Sequence, residues 1–422
     1  MKKSEKQLVA RPQNPFVEGT DIPDEFFCDR TAETGTIVRL LEGGSNIVLK
    51  SPRRMGKSSL VNHVFHQDGI ALKYNTLYLD LLGTGSAEDF IREFQRVFTS
   101  DPSMRSGTVK EILKSLPEKA MIEAEFNSLA GTGKIKLGLT DLKEIKLNLD
   151  TIFGYLENTA KPNVVVFDEF QQIKYYPEPM AAILRAYIQR LNNTRFIFSG
   201  SSRRMLSTMF NASNEPFYHS AESLDLERIS CEAYTEFCID NFDKFGKAVD
   251  PDAVVFAYEL AGGVTYDMQR LMKYLFADTP AGVRASKEDV KTAVEKILDS
   301  LDQTYRERLT ALGNAKEKKV LIAVGLEGLA SGMLSQKIIK DYNLGPVSSV
   351  SQALDNLCNE EKLNMMLRVG NSYKLQDKML ELWIARQYGV LDLKYATAGL
   401  QLRREMEAER SLKLPDFPKL RK

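Results

Sequence analysis

The run Ser51, Pro52, Arg53, Arg54, Met55, Gly56, Lys57, Ser58 and Ser59 has the residue types of a phosphate-binding loop. Such a loop wraps a β-phosphate in backbone N–H groups, so the chain must turn tightly there. Gly56 supplies the backbone freedom for that turn. Lys57 offers a compact cation to the β- and γ-phosphates, and Ser58 can place a hydroxyl on Mg²⁺. The general spacing opens on glycine. Ser51 stands there instead, and a small residue meets the same steric need. Apolar Asn46–Lys50 before the loop predicts a strand, and Lys57 to about Phe65 predicts a helix whose positive end faces the phosphates. A nucleoside triphosphate and Mg²⁺ are therefore the expected cofactors.

About 110 residues downstream, Val164, Val165, Val166 and Phe167 end in Asp168 and Glu169. An apolar strand that delivers two carboxylates to a phosphate site has a clear division of labour. Asp168, with Ser58, belongs to the Mg²⁺ shell, and Glu169 polarises an attacking water as general base. The next strand ends in Ser199, Gly200, Ser201, Ser202, Arg203 and Arg204. Ser201 is the residue expected to sense the γ-phosphate, with Ser199 as the alternative. Arg203 and Arg204 can neutralise phosphate charge in cis or in a neighbouring molecule's site, or form an exposed basic turn. Arg185, on the expected helix 181–191, is a further candidate, for phosphate or for a structural ion pair.

These residues need a frame that holds strand ends together. Short β-branched and aromatic runs at 46–50, 76–81, 163–167, 195–199 and, more weakly, 223–226 alternate with helical patterns. That rhythm predicts an α/β fold, a buried and mainly parallel sheet. Residues 101–150 interrupt it. Ile135, Leu137 and Leu139, then Ile145, Leu147 and Leu149, alternate with polar residues and predict an inserted hairpin. Gly131–Lys134 in the same insertion is a poor phosphate loop, because Ile135 occupies the hydroxyl position. After about Glu227 the strand signals stop. Asp250-Pro251 starts a helix, Gly262 and Gly263 end it, and Ser286 to Asp289 matches a capping box. From about Ala315, three helices and a hairpin around Gly370-Asn371 follow the order of a winged helix-turn-helix. The expected organisation is a lead-in at 1–20, a P-loop ATPase core at 21–228 and an all-helical lid at 229–312. A winged helix at 313–390 and a tail at 391–422 complete it.

Several segments resemble the archaeal-type AAA+/STAND P-loop ATPases. They are Phe27–Arg30, Leu49–Leu60, Phe167–Gln172, Leu184-Arg185, Phe198–Ser201 and Pro216–Tyr218. The resemblance spans about Asn14 to Gln387. It implies an ATPase core, a helical lid, a C-terminal winged helix and slow, ATP-dependent conformational switching. It also implies that the segment from Phe27 to Glu33, with Arg30, lies near the adenine. Gly263 is implied at the nucleotide-facing corner of the lid. Val264 stands where the family usually continues with proline.

The 422 residues carry 57 basic and 57 acidic side chains, which excludes a globally basic nucleic-acid binder. The expected recognition helix, Ser348 to Glu361, has no Lys or Arg. DNA affinity rests largely on such cations, so a protein partner or self-association is favoured over DNA. Four cysteines without a CxxC pair and three histidines give no zinc pattern. No signal-peptide or membrane-span pattern is present, so the expected compartment is the cytoplasm. Besides an ATP-hydrolysing switch, two readings stay open. One is an ATP-dependent DNA-binding protein of initiator or mobile-element type. The other is a nucleotide-binding scaffold with little turnover.

Overall fold

The computed structural model describes residues 13–100, 142–359 and 362–388. Contacts divide the chain into two compact units: Gly19–Glu227, and the chain from Arg228 onward together with the segment ending at Glu18.

The first unit is built on a five-stranded parallel sheet in the order β2-β3-β4-β1-β5. The strands are β1 (Ile47–Lys50), β2 (Asn75–Asp80), β3 (Asn163–Asp168), β4 (Thr194–Gly200) and β5 (Glu222–Asp225). All six residues of β3 are buried. A central strand covered on both faces needs apolar side chains throughout, which is why this run shows no alternation. One sheet face carries Leu49, Val164, Val166 and Ile197 against helices α1 (Thr31–Glu42) and α2 (Lys57–His66). The other carries Leu77, Leu79, Phe167, Phe196 and Phe198 against helices that include α4 (Ala87–Ser100) and α5 (Leu142–Glu157), which follow the short α3 (Asp68–Ala71). Helices α6 (Met180–Ile188) and α7 (Arg203–Asn211) complete this unit.

The expected hairpin at 101–150 needs correction. Ile145, Leu147 and Leu149 lie inside helix α5, not on a strand. Ile145, Leu149, Ile152, Phe153 and Leu156 are buried, whereas Leu147 is 59% exposed. Steps of three and four select one helical stripe, and the local alternation was a short sample of that longer period. Ile135, Leu137, Leu139 and Gly131–Lys134 lie outside the described residues.

In the second unit, helices α8 (Cys231–Lys244), α9 (Pro251–Ala261), α10 (Thr265–Asp278) and α11 (Lys287–Ala311) form the helical region. It is not purely helical, because β6 (Ala248–Val249) pairs in parallel with β7 (Arg284–Ala285). The capping box read at Ser286 and Asp289 is present. Next come α12 (Ala315–Glu327), β8 (Ala330–Ser331), α13 (Gln336–Asp341), α14 (Val347–Cys358), β9 (Met366–Val369), β10 (Ser372–Leu375) and α15 (Lys378–Gln387). The three short strands form a sheet in the order β8-β10-β9. Helical region and winged helix lie in one unit. Asp377, at the start of α15, accepts from Tyr305 Oη at 3.1 Å and Arg308 Nη1 at 3.3 Å, and Trp383 Nε1 donates to Asp302 at 2.9 Å.

The lead-in also differs from expectation. Phe16 is buried, with ring centroids 5.8–5.9 Å from those of Phe237, Phe242 and Phe276. A large aromatic ring in a polar stretch is held by tertiary packing that local pattern does not reveal. Phe16→Ala is expected to destabilise the second unit by about 3–5 kcal/mol. Denaturant unfolding followed by tryptophan fluorescence checks this, since Trp383 belongs to that unit. An unchanged midpoint would remove Phe16 from its core.

Candidate phosphate site

The site lies where α2 begins beside the C-terminal ends of β1, β3 and β4. Gly56 adopts φ 81° and ψ 23°, a left-handed conformation that suits glycine, and hands the chain into α2. Ser51 is not among the residues with positive φ. It is fully buried, and its N–H donates to the Gly200 carbonyl at 3.4 Å. The first loop position thus needs a small side chain and no special backbone freedom.

Asp168 is the centre of the cluster. Lys57 Nζ donates to its Oδ1 at 2.6 Å, as does Ser199 Oγ at 2.6 Å, and the Glu169 N–H does so at 3.0 Å. Ser58 Oγ donates to Oδ2 at 2.9 Å, and the Tyr78 hydroxyl donates to the same oxygen. Burial pulls the Asp168 carboxyl upward, but the Lys57 charge and the donors from Lys57, Ser199 and Tyr78 outweigh it and hold it at about 2. Burial, with the Asp168 charge beside it, pushes the Tyr78 phenol well above its ordinary value, so it stays a donor.

Asp168 has a depressed folded-state value, so its contribution is present above 3.8 and is lost as pH falls through about 2. The gap is worth about 2 kcal/mol. Asp168→Asn is expected to flatten the acid limb of stability between pH 4 and 2, read by urea unfolding across that range. An unchanged limb would mean that other carboxylates carry it.

Glu169 sits in a left-handed conformation, φ 52°, at the end of β3. Its Oε2 accepts from Ser201 Oγ at 2.8 Å, Ser201 N at 3.3 Å and Gln171 Nε2. Lys57 Nζ lies 3.6 Å from its Oε1. The two serines at the β4 tip therefore divide: Ser199 serves Asp168, and Ser201 serves Glu169. Arg53 Nε reaches Ser201 Oγ at 3.5 Å, tying the loop to that tip.

The other named residues are dispersed. Pro52, Arg53 and Arg54 are exposed on the loop, and Met55 is buried. Arg30 is buried, donates to Glu33 at 2.6 Å and reaches the Met55 carbonyl at 3.4 Å. Ser59 Oγ donates to the Gly19 carbonyl at 2.8 Å. Arg203 pairs with Asp225 at 3.3 Å and Glu227 at 3.5 Å, and Arg204 is exposed in the first turn of α7. Arg185 donates to the Pro216 carbonyl at 3.1 Å, away from the Asp168 cluster's bonds. Gly263, φ 66°, belongs to the second unit, where an added Cβ would meet Tyr258 Oη at 2.7 Å and Arg228 Cδ at 2.9 Å.

Sequence reasoning missed Tyr78 and Gln171. The only signal for Tyr78 was a hydroxyl-bearing ring in an otherwise apolar strand. For Gln171 it was the proximity to Glu169 in the chain. An added Cβ at Gly200 would stand 2.1 Å from Gln171 Oε1, so that glycine keeps room for the amide.

Residues 27–271 match the model of an ATPase domain predominantly from Archaea. The chain belongs to this ATPase family. Its residues 303–386 match a probable winged helix domain. Among solved structures, the ATPase is similar to a Walker-type ATPase of Pyrococcus abyssi. That likeness has 19% identity and a TM-score of 0.56, over 88% of this chain and 99% of the other. It is also similar to the ORC2 protein of Aeropyrum pernix solved as ADPNP-ADP complexes. Here identity is 14% and the TM-score 0.55, over 94% of this chain and 98% of the other. Both likenesses show the fold. No curated protein matches the chain. Among the described residues of this family member, no helix is long and apolar enough to cross a membrane.

Proposed function

We propose that this chain is an ATP-binding and slowly hydrolysing molecular switch of the AAA+/STAND type. One observation carries the reading: Lys57 and Ser58, from the start of α2, converge on Asp168 with Glu169 beside it. The Ser58 hydroxyl and the Asp168 carboxylate are hard oxygen donors 2.9 Å apart, which fits Mg²⁺. When bound, the ion supplies charge that offsets the phosphate oxygens. Lys57 binds phosphate oxygens, and the backbone N–H groups around Gly56 orient them. Glu169, held by Ser201, accepts a proton from water at its carboxylate. Arg30, through Met55, keeps the loop in shape, and the segment from Phe27 to Glu33 adjoins the adenine. Arg53, Arg54, Arg203 and Arg204 are exposed cations that a γ-phosphate or a neighbouring molecule can recruit, Arg203 from its pairs with Asp225 and Glu227.

By the family resemblance the second unit is the moving part, and Gly263 is its nucleotide-binding residue. Its partner is a protein or a second copy. Helix α14 carries no Lys or Arg, and strand β9 exposes Leu367 and Val369 at 39% and 47%. DNA affinity rests on cations, and the hairpin of β9 and β10 supplies two, Arg368 and Lys374. Four free cysteines suit a reducing cytoplasm.

Titration with ATP and Mg²⁺, followed by phosphate release, tests the reading. Micromolar binding and slow release are expected. Mass photometry with and without the nucleotide reports whether binding drives assembly. Absence of nucleotide binding would overturn the proposal.

A further inference from the structure

Four side chains hold the Asp168 carboxylate, and two of them, Ser199 and Tyr78, have no part in the mechanism above. Lys57 and Ser58 come from α2 and are required for the phosphates and the metal. Ser199 comes from β4. The fourth is Tyr78, which comes from β2, on the far side of β3 from β4.

The register explains how a tyrosine reaches this acid. Asp80 pairs with Asp168, and Tyr78 pairs with Val166. Residues two apart in a strand share a face and stand about 6.6 Å from each other along it. A phenol spans about that distance, so Tyr78 can lie along the sheet and deliver its hydroxyl to Asp168. Its ring packs with the Leu49, Val164, Val166 cluster under α2, so its direction is set by apolar packing. Asp80, although directly opposite Asp168, turns to its own loop and accepts the Leu82 N–H at 2.9 Å. β2 thus contributes a neutral donor beside the acid and turns its own acid away.

The distribution over the two oxygens is telling. Among the described residues, Oδ1 has Lys57, Ser199 and the Glu169 N–H, and Oδ2 has the hydroxyls of Ser58 and Tyr78. Lys57 is also the group that phosphate oxygens recruit. Ser58 is the group that would offer its oxygen to Mg²⁺. Tyr78 has neither duty, so its hold on Oδ2 is independent of both.

We propose that Tyr78 is a positioning residue for the Mg²⁺ shell: its hydroxyl fixes Asp168 Oδ2 beside Ser58. This rests on the reading of the site as an Mg²⁺-nucleotide site. Groups that orient metal-shell ligands typically govern about 10–100-fold in metal affinity.

The test is equilibrium binding of a fluorescent ADP analogue to the full chain at stepped free Mg²⁺, and separately in EDTA. Wild type, Tyr78→Phe and Asp168→Asn are compared. The phenylalanine keeps the ring in its packing, and nucleotide-free thermal unfolding is recorded alongside. Tyr78→Phe is expected to need about tenfold more Mg²⁺ to reach tight binding, with its EDTA affinity at the wild-type value. Identical Mg²⁺ dependence in wild type and Tyr78→Phe would overturn the assignment. An equal fall of affinity in EDTA would also overturn it, because Tyr78 then shapes the pocket and does not position the metal shell. Wild-type binding indifferent to Mg²⁺ and to Asp168→Asn would overturn the metal reading of Asp168, and the Tyr78 proposal with it. Failure of the wild type to bind at all would instead strike the nucleotide proposal itself.

Discussion

Lys57→Ala is expected to abolish measurable ATP binding, a loss of about 100-fold or more. Truncating one member of a buried, hydrogen-bonded charge pair costs about 2–5 kcal/mol, a factor of about 30 to several thousand, a range that contains this loss. The ammonium is 8% exposed and stands 2.6 Å from Asp168 and 3.6 Å from Glu169. It therefore has two roles. In the proposed site it is the cation for the phosphates, and without nucleotide it compensates two carboxylates at the strand end. Its removal leaves the Asp168 charge buried with Ser58, Ser199, Tyr78 and a backbone N–H as its remaining donors. A stability loss of about 3 kcal/mol should accompany the loss of binding. The two roles separate in a double variant. Adding Asp168→Asn to Lys57→Ala should restore much of the stability, because no unpaired charge remains, without restoring ATP binding. Calorimetric nucleotide titration and urea unfolding of the four proteins check both halves. Undiminished ATP affinity in Lys57→Ala would sink the assignment of the loop.

Glu169→Gln is expected to lower the rate of phosphate release by about 10²–10⁴ while leaving ATP affinity within about threefold. The amide is close in shape to the carboxylate and can still accept from Ser201. What it cannot do is take a proton from water. Single-turnover phosphate release, read beside fluorescent-nucleotide binding, separates the two effects. Wild-type turnover that survives this change would remove Glu169 as base. Wild-type turnover no faster than spontaneous hydrolysis would favour the scaffold reading.

Local patterns in this chain were legible where one segment carried its own signal. Lys57, Ser58, Asp168 and Glu169 each belong to a short motif with a strand on one side, and the structure brings all four together. The runs of β1, β3 and β4 were legible for the same reason, because a doubly covered parallel strand is mostly apolar, whereas the edge strand β5 (Glu222–Asp225), largely exposed, gave the weaker signal. The insertion was misread where Ile145, Leu147 and Leu149 fit both a period of two and, in a longer window, a period near 3.6. Phe16 was read as part of the lead-in because residues 1–20 are polar as a stretch, although Pro15 and Val17 flank it. Its partners, Phe237, Phe242 and Phe276, lie more than 200 residues away.

The sequence by itself determined the α/β class, the family and the C-terminal winged helix, and it supplied the phosphate-loop pattern. The tertiary structure alone decided how the two β4 serines divide between two carboxylates, that Arg185 turns to the Pro216 carbonyl, and that Tyr78 enters the site. The physical reason is strand register. The sheet order β2-β3-β4 sets Tyr78 and Ser199 on either side of Asp168. Neighbours across a parallel sheet are joined by long crossovers, so their pairing leaves no mark on the spacing of residues along the chain.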